Sequence, residues 1–509
     1  MMRLTLITAL LAICLFASQA NAQTLFPRDG ATMINPDVQL KLTFNSTPRV
    51  GTSGKIRIYD AANDQLVNTL DLSIPPGPTR PVDPAVRAKN YLAFPYPDER
   101  KSRPTNRDTK PGTPSAGAVP TSDQYQLTII GGFTDGFHFY PITIDRNTAT
   151  IHPHHDLLEY GKSYYVEIDR EVIETQEFNG IPKNSWRFTT KPKSKAPQPN
   201  AKRLTVSADG AGDFNTLQAA LDFVPDNGKQ RVTINVRNGM YVEIVYARNK
   251  NNVTLVGESQ EKTIVRYANN EVFNPHPANI RTNPEPGTFP SRRAAVSIDN
   301  CNDFHIVNMT LHTTAAGQSE GLLITGERNI LSRVTVIGGG DALQANGRIY
   351  MVDSTVEGTG DTILGRGTLF CERCTIKSTR VMMWPRNHEG VHGNIFKDST
   401  FIATQEPTTI ARSPRNESFT YPFAEVVLLN ATLINIAPEG WSDADRGGKV
   451  RFWEFQSRNS DGSLVDVSRR VPWSRQLDKV KDAKLIADYS RPEFVLAGWR
   501  PQLSLQVRN

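Results

Sequence analysis

Between Asn308 and Leu433 a four-residue signature returns six times: Asn308-Met309-Thr310-Leu311, Arg333-Val334-Thr335-Val336, Asp353-Ser354-Thr355-Val356, Arg373-Cys374-Thr375-Ile376, Asp398-Ser399-Thr400-Phe401 and Asn430-Ala431-Thr432-Leu433. Each copy is a polar or small residue, any residue, Thr, then an apolar β-former, and the threonines recur at intervals of 20 to 32 residues. Short β-rich runs at such a period, with no helical pattern between them, predict a parallel β-solenoid in which each repeat is one coil. Adjacent coils of a solenoid lie about 4.8 Å apart. The stretch from Gly340 to Gly365, GDALQANGRIYMVDSTVEGTGDTILG, sets Asp341 and Asp361 20 residues apart, one period. The two aspartates are therefore expected as stacked neighbours on one wall, a carboxylate pair.

The chain has 509 residues, more than one ordinary domain. Residues 1–22 carry Arg3, an apolar run from Leu4 to Ala17 and a small-x-small site at Ala20-Asn21-Ala22, the pattern of a secretory signal peptide. Ile13 before Cys14 is too large for a typical lipoprotein cleavage site. No later stretch is apolar for long enough to span a membrane, so a secreted or periplasmic monomer is expected. Cleavage leaves Cys301, Cys371 and Cys374, an odd number, so at least one free thiol is expected. Cys371-x-x-Cys374 crosses a predicted strand with no second pair, which reads as solenoid core rather than half a zinc site. The net charge of +6 is compatible with an acidic polymer as partner; no nucleic acid is expected.

From 23 to 190, runs such as VQLKLTF (38–44), KIRIYD (55–60), YQLTII (125–130), SYYVEID (163–169) and SWRFTT (185–190) alternate apolar and polar residues between turns. They predict a small antiparallel β-sandwich interrupted by a Pro-rich loop from about Ile74 to Asp123. His152, His154 and His155 read as a surface cluster at a strand edge. Residues 191–202 form a charged, Pro-rich linker, and 203–509 a solenoid domain. In it Thr216 to Val224 predicts a short helix capping one end, Asn269 to Arg293 a lateral excursion, and the coils run to about Ile436. The remainder is expected as loops and a short helix, with Trp441, Trp453 and Trp473 covering the core. His388-Glu389-Gly390-Val391-His392 fits the HExxH zinc-protease pattern, but that motif needs a helix, and Pro385, Gly390 and a following strand argue against one.

Four stretches carry a resemblance to a known family. DGAGDFNTLQAALDFVP (209–225) is similar to DGSGxYxTVQxAVDxxP, and GMYVE (239–243) to GxYxE. QSEGL (318–322), with the coil that follows, is similar to QAVAL and the coil leading to GYQDTL, and EGTGDTILG (357–365) to GTVDFIFG. The domain resembles the pectin methylesterases, and the opening FPRDGATMINPDVQLKLTF resembles bacterial immunoglobulin-like modules found beside secreted enzymes. The resemblance implies a right-handed parallel β-helix and a carboxylic ester hydrolase that converts methylated pectin to pectate and methanol. It implies Asp361 as nucleophile, Asp341 as general acid and base, Gln318 as an oxyanion donor and, in IARSPRN (410–416), Arg412 as the arginine of LGRPW, with Arg415 the alternative. Two positions depart from the pattern: Gly340 replaces the Gln of QDTL, and the Trp of LGRPW is absent. Trp384 and Arg386 are candidates for lining a sugar groove by stacking and by charge, and Gln344 for filling the place of the missing Gln.

Two carboxylates one coil apart tend to share a proton. An arginine beside one of them splits the roles, leaving an anionic nucleophile, Asp361, and a protonated acid, Asp341, which donates to the departing methoxide and then activates water. Amides aimed at the oxyanion contribute on the order of 3 kcal/mol each. This chemistry requires no metal or other cofactor. The rival readings are another β-helix polysaccharide enzyme, polygalacturonase or lyase, an esterase for a different acyl substrate, and an inactive pectin-binding relative. The paired Asp-Asp and Gly-His-Gly elements of a polygalacturonase are not found.

Overall fold

The structure, a computed structural model, describes residues 23–81, 125–128, 130, 137–176, 178–275, 292–412, 415–416, 419–442 and 449–503. The expected signal peptide and most of the Pro-rich loop lie outside these residues.

From Arg203 onward the chain winds as a parallel β-helix. The six threonines pair directly, Thr310 with Thr335, then Thr355, Thr375, Thr400 and Thr432, each on the next coil. The apolar residue after each threonine points inward: Leu311, Val336, Val356, Ile376, Phe401 and Leu433 are all buried in one core cluster. The residue that opens each copy is the corner. Asn308, Arg333, Asp353, Arg373, Asp398 and Asn430 all adopt φ between 50° and 61°, a left-handed bend that Asn and Asp tolerate better than most residues. The signature thus encodes one turn of the coil: bend, inward spacer, threonine on the outer face, apolar residue in the core.

Two parallel ladders meet at that corner, one through strands such as Arg348–Val352 and Thr368–Glu372, the other through Thr355–Gly358 and Thr375–Ser378. A third wall is the six-stranded sheet Val245–Arg248, Val296–Asp299, Leu322–Ile324, Leu343–Ala345, Ile363–Gly365 and Met383–Pro385. Parallel crossovers of this kind are right-handed almost without exception. The helix Leu217–Phe223 closes the N-terminal end, its first turn capped by the Thr216 hydroxyl, with Leu217, Ala220 and Leu221 turned onto the core. At the other end the coils continue past Ile436, further than the sequence indicated. Arg451–Phe455 pairs with Glu425–Leu429, and Arg475–Gln476 pairs with Arg451–Phe455. The repeat signature is missing from these strands, which is why the pattern ended too early. Trp441 and Trp473 pack on Phe452 at this end, whereas Trp453 joins a separate cluster under two short helices, Ala483–Tyr489 and Pro492–Val495. Cys301, Cys371 and Cys374 are free and buried.

The N-terminal region is a two-sheet sandwich around one core. The sheets are antiparallel except that Ala31–Ile34 runs parallel to Arg187–Thr190. Leu127–Thr128 does not join them; it forms a separate ribbon with Phe137–His138. This module is docked on the solenoid rather than tethered at a distance. Asp37 accepts hydrogen bonds from the backbone N–H groups of Asn215 and Thr216 at 2.8 Å and from the Thr216 hydroxyl at 2.9 Å, at the start of the capping helix. Tyr140 stacks on Phe273 with ring centroids 4.6 Å apart, and Lys191 donates to the Gly212 carbonyl. The three histidines are not a free surface cluster: His152 meets Thr143 and His154 meets Asn68 within the sandwich, and His155 reaches Asp222 of the capping helix at 2.6 Å. Periodicity within one strand carries no information about a partner module, so the sequence could not place them.

Candidate active site

The corner that leads into the third wall builds the site. Gln318 bridges Gly340, and Gly340 bridges Gly360, in parallel register on three successive coils. The next residues, Asp341 and Asp361, are thereby set one strand apart, as the period required. The Asp341 N–H donates to the Gly360 carbonyl at 3.0 Å and the Asp361 N–H to Val381 at 2.8 Å. Both aspartates adopt positive φ, 71° and 43°, so each sits at a bend.

Their neighbours differ. Arg412 grips Asp361 with a guanidinium fork: Nε lies 2.7 Å from Oδ1 and 3.0 Å from Oδ2, and Nη2 lies 2.8 Å from Oδ2. Such two-pronged, charge-assisted contacts fix orientation as well as charge. The Arg412 N–H bonds to the Met383 carbonyl, which carries the side chain over the adjacent ring of Trp384 at 3.9 Å. The alternative, Arg415, has a side chain outside the described residues. Asp341 is more deeply buried, and burial raises its pKa above the usual carboxylate value. Arg293 opposes that rise and the charge of Asp361 adds to it.

Trp384 is only 9 % exposed. One guanidinium, Arg412, lies on it at 3.9 Å and a second, Arg386, at 4.6 Å, so it is a seat for cations and not the open sugar platform expected. Arg386 has no carboxylate partner among the described residues, and burial, then the nearby Arg366, pushes its pKa down to about 10. Gln318 is exposed at the rung before Gly340. Gln344 is buried in the column of Leu364 and Trp384, and its Oε1 has no partner among the described residues. The segment His388 to His392 runs as a turn and irregular backbone, and His392 contacts Glu425 at 3.0 Å, so no HExxH helix exists.

The sequence pattern of the family described as Pectinesterase matches residues 203–498, more than half of the chain. The chain belongs to that family. Among related pectinesterases, "Probable pectinesterase/pectinesterase inhibitor 19" of Arabidopsis thaliana is 27 % identical over 305 residues, covering 56 % of this chain and 55 % of the relative. "Pectinesterase 31" of the same plant is 28 % identical over 295 residues, covering 54 % and 87 %. The chain therefore spans about half the length of the first and most of the second. Among solved structures, pectin methylesterase PemA from Erwinia chrysanthemi superposes with a TM-score of 0.45 at 20 % identity, covering 60 % of this chain and all of that one. The carrot enzyme gives 0.45 at 20 %, covering 59 % and 94 %.

Two residues of this site escaped the sequence reading. Arg293 donates from Nη2 to Asp341 Oδ2 at 2.8 Å and from Nε to Glu320 Oε1 at 2.7 Å. A signal existed: Glu320 stands where the resembling QAVAL is apolar, and a buried carboxylate needs a cation. Nothing local pointed to Arg293, which arrives from the far end of the lateral excursion.

Proposed function

We propose that the chain is an exported carboxylesterase that removes methyl groups from esterified pectin, releasing methanol and leaving pectate. The observation that carries the reading is the carboxylate pair itself: two aspartates one coil apart, one gripped by an arginine fork, the other buried and disposed to keep its proton. Asp361, oriented by Arg412, attacks the carbonyl carbon of the methyl ester. Asp341 passes its proton to the departing methoxide, and an acyl-enzyme anhydride remains on Asp361. Asp341, now the base, takes a proton from water as the water oxygen attacks the anhydride, which frees the uronate and restores both side chains. Gln318, exposed on the adjacent rung, supplies an amide to the oxyanion. Arg386 and Arg412, both seated on Trp384, offer positive charge to neighbouring galacturonates.

In this reading residues 1–22 are the export signal, 23–190 the sandwich module, 191–202 the connection and 203–509 the catalytic domain. Membership of the pectinesterase family supports the substrate. No helix among the described residues is long and apolar enough to cross a membrane. The deciding assay uses purified mature protein with highly methylated pectin, following methanol and viscosity together. Methanol released at constant viscosity is expected. Falling viscosity without methanol would replace this reading with a depolymerase.

A further inference from the structure

Arg293 is a second guanidinium at the carboxylate pair, and its surroundings are built. Its side chain is 12 % exposed and reaches Glu320, which is fully buried, on one side and Asp341 on the other; Glu271 lies further out at 3.9 Å. Its main chain is clamped. The Asn269 amide donates to the carbonyls of both flanking residues, Arg292 and Ala294, at 2.8 Å each. Asn269 in turn accepts from Asn274 at 2.9 Å, and Asn274 brackets the backbone of His138, accepting from its N–H at 2.8 Å and donating to its carbonyl at 3.1 Å. The chain of contacts begins in the N-terminal module and ends on the acid/base carboxylate.

The charges do not cancel one for one. Asp361 is matched by Arg412, whereas Arg293 meets two buried carboxylates. We propose that Arg293 is a positioning residue for Asp341, sharing its charge between Asp341 and the buried Glu320, so that Glu320 holds the guanidinium in place while Asp341 loses and regains its proton. The inference rests on the reading of Asp341 as acid and base. When Asp341 is protonated, Arg293 pairs with Glu320; when the proton has gone to methoxide, the new carboxylate finds the cation already within hydrogen-bonding distance. Burial raises the pKa of Glu320 against the pull of Arg293, and Asp341 adds to the rise. The other charges facing Asp341 are Asp361, Arg386 and Arg412.

The test compares Glu320→Gln, Arg293→Gln and Arg293→Lys in the full mature chain. Two readouts are taken: the pH profile of methanol release, and the carboxyl titration of Asp341 in protein labelled with ¹³C at aspartate and assigned with Asp341→Asn. In Glu320→Gln the whole charge of Arg293 falls on Asp341, so its titration and the alkaline limb of kcat move to lower pH, with KM within about twofold. In Arg293→Gln both move to higher pH and kcat falls about tenfold or more. Arg293→Lys returns the limb toward the wild-type position with an intermediate kcat. Unchanged titration, or movement in the same direction in Glu320→Gln and Arg293→Gln, overturns the proposal. If Arg293→Gln fails to fold, the downward shift in the nearly isosteric Glu320→Gln decides. The titration needs no substrate: opposite shifts in a protein that releases no methanol would uphold the shared charge and remove the pectin reading instead.

Discussion

Asp361 and Asp341 are the same side chain at the same corner of successive coils, and only their neighbours separate them. The fork of Arg412 leaves Asp361 partly exposed, while Asp341 sits deeper with its pKa raised chiefly by burial. Asp361→Asn keeps the shape and removes the proposed nucleophile, so methanol release should fall by roughly 10⁴-fold or more with an unchanged circular dichroism spectrum. Activity retained within tenfold would end its assignment. Gly340 is one of the two departures from the family pattern. It does not occupy the left-handed region, and a Cβ there would meet the Gly317 carbonyl oxygen at 3.3 Å, close but tolerable with a small shift. It lies beside the exposed Gln318 on the neighbouring coil, whereas Gln344 lies buried four residues on. Gly340→Gln should therefore raise kcat by about tenfold or more, since one oxyanion donor is typically worth about a hundredfold. No gain, together with collapse of activity in Gln344→Ala, would show that Gln344 already fills that role.

The coil is held at its corners as much as in its core. Asn308 shows why: its bend at φ 61° admits few side chains, and its amide reaches back one coil to the carbonyls of Gly257 at 2.9 Å and Glu258 at 3.1 Å. Asn308→Ala loses both bonds and leaves at the left-handed bend a residue without the short polar side chain that makes it tolerable, at a cost of about 2–3 kcal/mol. Asn308→Gly loses the bonds without the strain and should cost less than Asn308→Ala. Equilibrium denaturation of the two variants orders them; equal losses would mean that the amide contacts alone stabilise the corner.

At the scale of the whole molecule, the sandwich module and the solenoid meet across buried carboxylates. Glu243 accepts the N–H groups of Leu217 and Gln218 at the start of the capping helix, close to Asp37 and His155. Burial pushes it up to about 7 from 4.5, against those two hydrogen bonds. The folded protein thus holds this proton more firmly than the unfolded chain does. The stabilising contribution is complete below about pH 4.5 and is lost as pH rises through about 7. Glu243→Gln cannot ionise, so its Tm relative to wild type should climb between pH 5 and pH 8. A constant difference across that range would show that the carboxylate does not titrate there.

The coil was legible in the residues alone. A threonine, an apolar residue and a bend at one period fix which face is buried and which residue turns, because each coil can pair only with its neighbours in register. The same period put Asp341 beside Asp361, and the family resemblance named Arg412. What the sequence could not contain were contacts set by chain segments far apart in number. The docking of the sandwich on the capping helix, the contacts of His152, His154 and His155, and the covering of Trp384 by two guanidiniums all depend on surfaces that meet only after folding. So does the reach of Arg293 across 48 residues to Asp341. Periodicity specifies how a coil stacks on the next one; the partners of a side chain that leaves the coil are decided by tertiary packing, where burial sets both the cost of a charge and the cation that must answer it.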